Sequence, residues 1–359
     1  MSSKSDLSSQ NLPVHLIRWH GRIYAIVGLC ILLVVIAALA TTIGSVEIPL
    51  STTYQIMISK LPFFHTTPAW SSGIETIVLE IRLPRVILAG LVGAALATAG
   101  ATYQGLFRNP LADPYLIGVA QGASLGAVIG FLLPVSWHGL EAGAIPLFAF
   151  VGAIASAAIV YGLARVGKTL PVTTLILAGV ALGALLGSVV SYLIISSGDK
   201  MHGIIFWLMG SFSLSRWMDV MLVLPYIIVG TVVILLYARS LNVMQLDEEQ
   251  AQQLGINVER LKLILLTAAT LITAAAVSFV GTIGFVGIII PHAVRLLWGA
   301  DYRFLLPLSV LTGAIFLIVA DLIARTIQAP TEIPIGVITA LCGAPFFLYL
   351  LRRRRKVIF

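Results

Sequence analysis

Long apolar runs alternate with short polar stretches along almost the whole chain, at a spacing typical of membrane-spanning helices. A helix needs ~20 apolar residues to cross the ~30 Å hydrocarbon core of a bilayer. Ten runs approach that length, at about 23–43, 86–107, 115–133, 144–164, 172–196, 219–238, 261–280, 286–299, 304–325 and 335–351. The pattern therefore predicts an all-α polytopic membrane protein with about ten transmembrane helices.

Three segments refine this prediction. The eighth run is short and follows the glycine-rich stretch Gly281 to Gly287, so we expect a broken or re-entrant entry covered by protein. The apolar piece Gly203 to Phe212 is too short to cross and predicts an interfacial or half-inserted helix. The first run follows Arg18 and Arg22 but is longer than the 7–15 residues usual in a signal peptide. It therefore predicts an uncleaved anchor.

Composition excludes a soluble globule. Hydrophobic residues make up 59% of the 359 and charged residues only 10%, whereas soluble domains carry roughly 45–50% and about 25%. The mean hydropathy of +1.02 is correspondingly high. We therefore expect one membrane domain over 23–351, between an N-terminal tail of residues 1–22 and a basic C-terminal tail of residues 352–359.

The distribution of charge orients the predicted bundle. A net charge of +7 in a soluble protein would suggest nucleic-acid binding, but here the cations must lie in loops. An even number of spans puts both termini on one side, together with sixteen of the 22 Lys and Arg residues. The six on the other side are Lys60, Arg82, Arg85, Lys200, Arg216 and Arg325. The positive-inside rule therefore predicts cytoplasmic termini.

The chain carries motifs of catalysis and binding in contexts that do not suit them. Residues 162–169 match the phosphate-loop pattern G-x-x-x-x-G-K-[ST], yet they join two predicted membrane helices instead of a strand and a helix. His292 has no second ligand at metal-binding spacing, and Cys30 and Cys342 lie singly in apolar runs. We predict no catalytic, metal or cofactor site, so the chain itself is not an enzyme and any ATP is handled by another chain.

Small residues recur at every fourth position in two spans. The third span carries Gly118, Gly122, Gly126 and Gly130, and the fifth carries Gly179, Gly183, Gly187 and Ser191. Such stripes let helices approach closely where no hydrophobic effect drives association. Packing within the chain and a role at a subunit seam or pathway both remain open.

The loop 239–262 has the pattern of a short capped helix. Asp247 can cap its start, Gln250 can complete a capping box and Gly255 can end it, while Asn257 can cap the next span. The loop is either a solvated connector or a docking element for a soluble partner.

Two groups of charged residues lie at helix ends on the predicted outer side. Arg82-Leu-Pro-Arg85 precedes the second span and Arg325 ends the ninth. These arginines can hold lipid headgroups or the carboxylates of an acidic external partner. Asp321 lies four residues before Arg325, so an intrahelical ion pair is expected, with a proton relay as the alternative.

At these motifs the chain resembles the FecCD family, the permease subunits of ABC importers for iron–siderophore complexes, haem and cobalamin. The matching stretches are Arg82–Arg85, Gly105–Pro114, Gly255–Arg260, Gly284–His292, Glu332–Gly336 and Gly343–Pro345. The resemblance covers about residues 76–356 and implies a BtuC-like, type II importer fold with ten spans in the bacterial inner membrane.

The resemblance also implies partners and roles. The partners are two cytoplasmic ATPase subunits, a second permease copy or paralogue, and an external substrate-binding protein that docks on Arg82, Arg85 and Arg325. The fifth and tenth spans would form the subunit seam, with the stripe Gly179, Gly183, Gly187 and Ser191 at that seam or along the pathway. The residues implied in ATPase coupling are Leu246, Asp247, Glu248, Gln250, Leu254, Gly255, Asn257 and Arg260.

The expected cargo is an iron(III)–siderophore or related metal chelate, with haem and then cobalamin as alternatives. From another class of protein, the alternative is a self-sufficient secondary transporter that couples protons through Asp321 or His292.

Overall fold

A computed structural model describes residues 14–44, 46–60, 70–133 and 143–358. Within these ranges the α-helices are α1 Val14–Thr42, α2 Leu50–Ser59, α3 Ser72–Thr76, α4 Leu83–Leu106, α5 Val119–Leu132, α6 Ala144–Ala164, α7 Val172–Ile195, α8 Met201–Leu208, α9 Trp217–Leu236, α10 Ala238–Val243, α11 Glu248–Gln253, α12 Val258–Val280, α13 Val286–Trp298, α14 Tyr302–Thr326 and α15 Ile335–Ile358. A π-helical segment, Ile77–Arg82, joins α3 to α4, and short 3₁₀ turns occur at Pro114–Ile117 and Gly198–Lys200.

The helices follow the predicted spans. In the described ranges, seven helical segments are long and apolar enough to cross a bilayer, and three shorter apolar helices, α5, α13 and the first part of α15, occupy the remaining predicted positions. The all-α polytopic fold is thereby confirmed. The ends differ from the predicted limits, because α1 begins at Val14 and α15 continues to Ile358. Residues 1–13 of the predicted N-terminal tail and Phe359 lie outside the described residues.

Helix α4 is the central element of the bundle. Together with the two preceding helical segments it forms one helix of 35 residues, Ser72–Leu106. In the most apolar 18-residue stretch of this helix, 83% is buried. Two glycines allow this burial, because a Cβ atom on Gly93 would lie 2.2 Å from the Gly313 oxygen of α14 and one on Gly100 would lie 1.8 Å from the Gly287 oxygen of α13. Close helix approach of this kind supplies packing energy where lipid gives no hydrophobic drive.

The glycine stripe of the third predicted span packs inside the chain. A Cβ atom on Gly122 would lie 2.3 Å from the Gly152 oxygen, and one on Gly126 would lie 2.0 Å from the Phe148 oxygen, both in α6. Of the two roles left open for this stripe, the structure shows intramolecular packing of α5 on α6.

The glycine-rich entry to the eighth span is broken as predicted. Helix α12 ends at Val280 and is followed by Gly281, whose φ of +78° favours glycine. The chain then runs without helix to Phe285 before α13 begins. Its backbone is covered by protein, because the Tyr115 hydroxyl donates to the Ile283 oxygen at 3.0 Å and accepts from the Ile283 amide at 3.1 Å. Helix α8, Met201–Leu208, overlaps the predicted segment Gly203–Phe212. It is only 8 residues long, too short to cross a bilayer, as predicted.

Candidate functional site

Two ion clusters, each built around a buried cation, lie at opposite ends of the helix bundle. The Arg85 cluster comprises Arg82, Arg85, Asp321, Arg325 and Glu332, and the Lys262 cluster comprises Glu248, Glu259 and Lys262. Helix α4 relates the two ends, because Arg85 lies in its first turn while Gly105, in its last turn, accepts a hydrogen bond from Gln245 in the loop before α11. The helical rise puts these two points of α4 about 30 Å apart.

Arg85 holds two carboxylates at once. Its Nε donates to both oxygens of Asp321 at 3.1 and 3.0 Å, and its Nη2 donates to Asp321 Oδ1 at 2.9 Å. Its Nη1 and Nη2 donate to the two oxygens of Glu332 at 2.7 and 3.0 Å. The side chains of Arg85 and Asp321 are only 9% and 2% exposed. This paired arrangement satisfies charges that would be costly to bury singly.

The other two arginines of the cluster bind the end of α1. Arg82 donates to the backbone oxygens of Thr41 and Thr42, and Arg325 donates to the backbone oxygen of Ala40. These carbonyls lie in the last turn of α1, where helical oxygens lack intrahelical partners and cations are favoured. The two guanidinium groups therefore fix α1 to the π-helical segment before α4 and to α14.

The position of these arginines differs from what the sequence suggested. Arg82, Arg85 and Arg325 are all buried, so their charges are already used by carboxylates and carbonyls of the same chain. The predicted Asp321–Arg325 pair is present at 3.5 Å, but the contacts of Asp321 to Arg85 are shorter. Docking of an external partner on the three arginines stays a prediction.

Glu332 connects the Arg85 cluster to two loops. It lies between α14 and α15, is 29% exposed at the side chain, and accepts a hydrogen bond from the hydroxyl of Ser213 in the segment between α8 and α9. Partial burial favours its neutral form, but hydrogen bonds from Arg85 and Ser213 outweigh that effect and hold the pKa of Glu332 below its usual value. The carboxylate is therefore the charged link between the helices and the loops at this end.

Lys262 is the buried cation of the opposite end. Its Nζ donates to Glu248 at 2.8 Å, to Glu259 at 3.2 Å and to the backbone oxygen of Leu170 at 3.3 Å. Glu259 in turn accepts from the Leu170 amide at 2.9 Å. The lysine side chain is 5% exposed, and the two carboxylates are 34% and 32% exposed. One ammonium group thus joins α11, α12 and the turn that precedes α7.

Helix α11 forms in the predicted loop, but one of its caps differs. Asn257 caps α12 as expected, accepting from the Arg260 amide at 3.0 Å, and Gly255 has the expected left-handed φ of +85°. The predicted capping box is absent: Asp247 occupies the N-cap position without a capping hydrogen bond from its side chain. Its carboxylate instead accepts from Arg108 at 2.6 Å, a stronger charged partner than an amide.

The loop presents an exposed surface while its base is fixed. Arg108 adds a second contact, to the Leu246 oxygen at 3.0 Å, and Ala251 of α11 is fully buried. Of the residues that the sequence implied in ATPase coupling, Glu248 is half-buried and the others are exposed, namely Leu246, Asp247, Gln250, Leu254, Gly255, Asn257 and Arg260. Two exposed leucines on a charged loop form a surface suited to a protein partner.

The glycine stripe of α7 faces the interior of the chain. A Cβ atom on Gly179 would lie 1.9 Å from the Leu116 oxygen, while those on Gly183 and Gly187 would lie 3.7 and 3.5 Å from the Gln121 side chain. Only Ser191, which donates to the Gly187 oxygen, is exposed. The opposite face of α7 carries exposed large apolar side chains, which are Leu177, Leu185, Tyr192 and Ile195.

The phosphate-loop match does not form a phosphate loop. Residues 162–164 end α6, Val166 and Thr169 pair with each other, and α7 begins only at Val172. In the described part of the chain, no group of three or more His, Cys, Asp or Glu side chains is placed to hold a metal ion.

Three charged residues that matter here were not singled out from the sequence. Glu332 and Arg108 find partners 247 and 139 residues away, which no local pattern indicates. Lys262 had a local signal, because Glu259 precedes it by three residues on a helix that carries no charged residue after Lys262.

Comparison with known proteins gives a consistent result over nearly the whole chain. Residues 30–353 match the FecCD transport family. The chain is 45% identical over 355 residues to the cobalamin import system permease protein BtuC of Halobacterium salinarum, covering 90% of this chain and 94% of that protein. It is 42% identical to the hemin transport system permease protein HmuU of Yersinia pestis, covering 77% and 84%.

A solved structure is similar in fold. It is described as an inward-facing conformation of a metal-chelate type ABC transporter, and it matches with a TM-score of 0.78 and 32% identity over 91% of this chain and 98% of that chain.

Proposed function

Because the chain belongs to the FecCD transport family, the permeases of ABC importers, we propose that it forms the translocation pathway for a metal chelate delivered by an external substrate-binding protein. The observation that carries the proposal is the family match over residues 30–353, supported by a structural match that covers 98% of a metal-chelate transporter chain. In such an importer the ATPase activity belongs to separate subunits, and this chain supplies the pathway.

We place the Lys262 end in the cytoplasm and the Arg85 end outside. Sixteen of the 22 Lys and Arg residues then face the cytoplasm, as the positive-inside rule requires. We propose that both termini are cytoplasmic and that the membrane is the bacterial inner membrane.

The loop around α11 is our candidate for coupling to the ATPases. Its exposed leucines and Arg260 provide the contact surface, while Lys262 and Arg108 fix its base to α12, to the turn before α7 and to the loop after α4. Movement of the loop by a closing ATPase pair would therefore be passed to three membrane helices and not absorbed by a flexible connection.

The Arg85 end is our candidate for docking the binding protein, in a form that burial allows. Three guanidinium groups and two carboxylates leave the cluster with one net positive charge beneath the surface. That excess positive charge attracts an acidic partner surface, because only a thin layer of protein separates the cluster from solvent. In this proposal Arg82, Arg85 and Arg325 steer the partner and hold its platform in place.

The seam with a second permease is assigned to the fifth and tenth spans, α7 and α15. The exposed apolar face of α7, with Leu177 and Tyr192, and the exposed Leu341 and Leu348 of α15 supply the surface. The stripe Gly179, Gly183 and Gly187 lies on the inner face of α7 and lets this helix pack closely against the start of α5.

For the cargo, the comparisons change the order in which candidates are tested. Family breadth favours an iron(III)–siderophore, but the relatives at 45% and 42% identity are named for cobalamin and hemin import. We propose a large organic metal chelate and place cobalamin first, haem second and ferric chelates third.

The test is uptake into proteoliposomes that contain the permease, its ATPase and its binding protein. We expect uptake to require ATP and the binding protein, and to stop when the ATPase carries a variant unable to hydrolyse ATP. Uptake driven by a proton gradient without the ATPase would overturn the proposal and favour the secondary transporter that uses Asp321 or His292. Binding assays of the three cargo classes on the external protein would then select among them.

A further inference from the structure

An apolar groove runs along the outside of the bundle, between α6 and α9 and over α12. It consists of two adjoining cavities of about 360 and 520 Å³. The smaller begins at Arg216 and Asp219, at the Arg85 end, and includes Leu222. Both cavities share Phe150 and Tyr226, whose ring centres are 5.5 Å apart. An aromatic constriction therefore divides the groove into two lengths.

The smaller cavity, from Arg216 to Tyr226, is about as long as one leaflet of the bilayer is thick. Tyr226 lies ten residues after Arg216, which corresponds to about 15 Å along a helix. That is half of the ~30 Å hydrocarbon core of a bilayer. Between these two points the smaller cavity is lined by apolar side chains such as Leu147, Met218 and Leu222. A single hydrocarbon chain can lie there from the membrane surface to the midplane.

The mouth of the groove carries a cation suited to a phosphate. Arg216 donates from Nε and Nη2 to the buried Asp219, at 3.3 and 3.0 Å, which fixes the guanidinium plane. The arginine side chain is 51% exposed. Among the described residues none accepts a hydrogen bond from its Nη1, so one edge of the guanidinium group is available to an anion. Arginine binds phosphate through such an edge.

We propose that this groove holds one anionic phospholipid from the leaflet at the Arg85 end. Its phosphate lies on Arg216, and one acyl chain lies over Leu222 and ends at the Phe150–Tyr226 pair. The cavity beyond that pair, toward Leu263, takes the end of a longer chain. The site is separate from both ion clusters and does not depend on the transported cargo.

Native mass spectrometry of the full-length permease tests the proposal. The protein is purified in detergent with equal amounts of phosphatidylglycerol and phosphatidylcholine. We expect one retained phospholipid per chain, with phosphatidylglycerol favoured, because both lipids offer a phosphate to Arg216 but only phosphatidylcholine adds a cationic group beside it. The preference should be at most about fivefold, the effect of one unpaired arginine near a membrane surface, because Asp219 already neutralises part of the Arg216 charge. Equal retention of the two lipids by the wild type would overturn the proposal.

Two matched variants on α9 locate the site. Met218 lines the smaller cavity and Met221 does not, although both side chains are exposed. Met218→Trp should reduce retention of the lipid several-fold, whereas Met221→Trp should leave it unchanged. Equal losses in both variants, or loss of lipid whenever two permease copies associate, would contradict the assignment. If Met218→Trp unfolds at a lower temperature than wild type, Leu222→Trp provides the obstruction instead.

The headgroup contact is tested without changing the packing of the groove. Arg216→Gln combined with Asp219→Asn removes the ion pair and keeps the net charge, so the preference for phosphatidylglycerol should fall to about one while a lipid is still retained. Arg216→Lys should keep part of the preference. A preference that survives in the double variant would show that the phosphate does not lie on Arg216.

Discussion

The Arg85 and Lys262 clusters are built alike and exposed differently. In each, one buried cation holds two carboxylates from different elements. At the Arg85 end the carboxylates are 2% and 29% exposed, and the remaining arginines bind the backbone of α1. At the Lys262 end both carboxylates are about one-third exposed, and they anchor a loop that carries exposed leucines.

The difference separates two uses of a buried cation. When one of its carboxylate partners is also buried, as Asp321 is, the cation fastens membrane helices to one another, and its loss leaves charge in a medium that cannot solvate it. When its partners reach water, the cation positions a surface element, and its loss leaves carboxylates that water can solvate. We therefore expect the Arg85 cluster to dominate stability and the Lys262 cluster to dominate communication with a partner.

The largest effect is expected from Arg85→Met. This variant leaves Asp321 buried without its main partner, which typically costs about 3–5 kcal/mol of unfolding free energy. The measurement is unfolding of the purified permease in detergent, by temperature or denaturant.

The control for Arg85→Met is a second substitution at the partner. Arg85→Met with Asp321→Leu removes both members of the pair and should recover a large part of the loss. Lys60→Ala, which breaks the exposed pair with Glu75, should leave the transition unchanged. A similar small effect from all three variants would remove the distinction between buried and exposed partners.

The second effect is expected from Lys262→Met. Its partners are partly solvated, so we expect a smaller loss, about 1–2 kcal/mol, because the released carboxylates regain water. Under the proposed function, this variant should lower transport-coupled ATP hydrolysis far more than it lowers stability. ATP hydrolysis and unfolding should both be compared between Lys262→Met and Arg85→Met. If Lys262→Met lost as much stability as Arg85→Met, the proposed difference between the two clusters would be wrong.

The fold could be predicted from the sequence further than the clusters could. The length of an apolar run is a local property, so all ten helical positions were predicted, including the broken entry after Gly281. The cap at Asn257 is also local and was predicted correctly. The capping box at Asp247 was not, because Arg108, which lies 139 residues away, takes its carboxylate.

The same reason explains why the burial of the three arginines was not predicted. The sequence shows that Arg82, Arg85 and Arg325 lie at helix ends. Their guanidinium groups can there bind acceptors of a partner protein or of the same chain. In the structure the acceptors belong to the same chain. Arg85 binds Glu332, which lies 247 residues away, and Arg325 binds the backbone oxygen of Ala40 in α1, which lies 285 residues away. Burial of this kind is set by the tertiary packing, which the spacing of residues does not report.

A third, smaller effect concerns pH at the Arg85 end. The pKa of Glu332 is lowered in the folded protein, so its stabilising contribution is complete above its ordinary pKa near 4.5 and is lost as pH falls through the folded value. We expect the wild type to lose up to about 1 kcal/mol in that range through this group, a figure reduced for its partial exposure. Glu332→Gln should lose the same contribution at neutral pH and then show a flatter acid response. An unchanged acid response in this variant would assign the pH dependence to other groups.

The smallest effect is expected from Arg108→Ala. Its pair with Asp247 joins side chains that are 39% and 72% exposed, and exposed pairs contribute about 0–1 kcal/mol that salt screens further. The unfolding transition should therefore shift little, and the shift should disappear at high salt. Lys262→Met should keep its effect at high salt, because its cation is buried. If Arg108→Ala instead cost as much as Lys262→Met, both cations would hold the base of the loop around α11 equally. Burial of the cation would then not be what distinguishes a structural ion pair from a surface one.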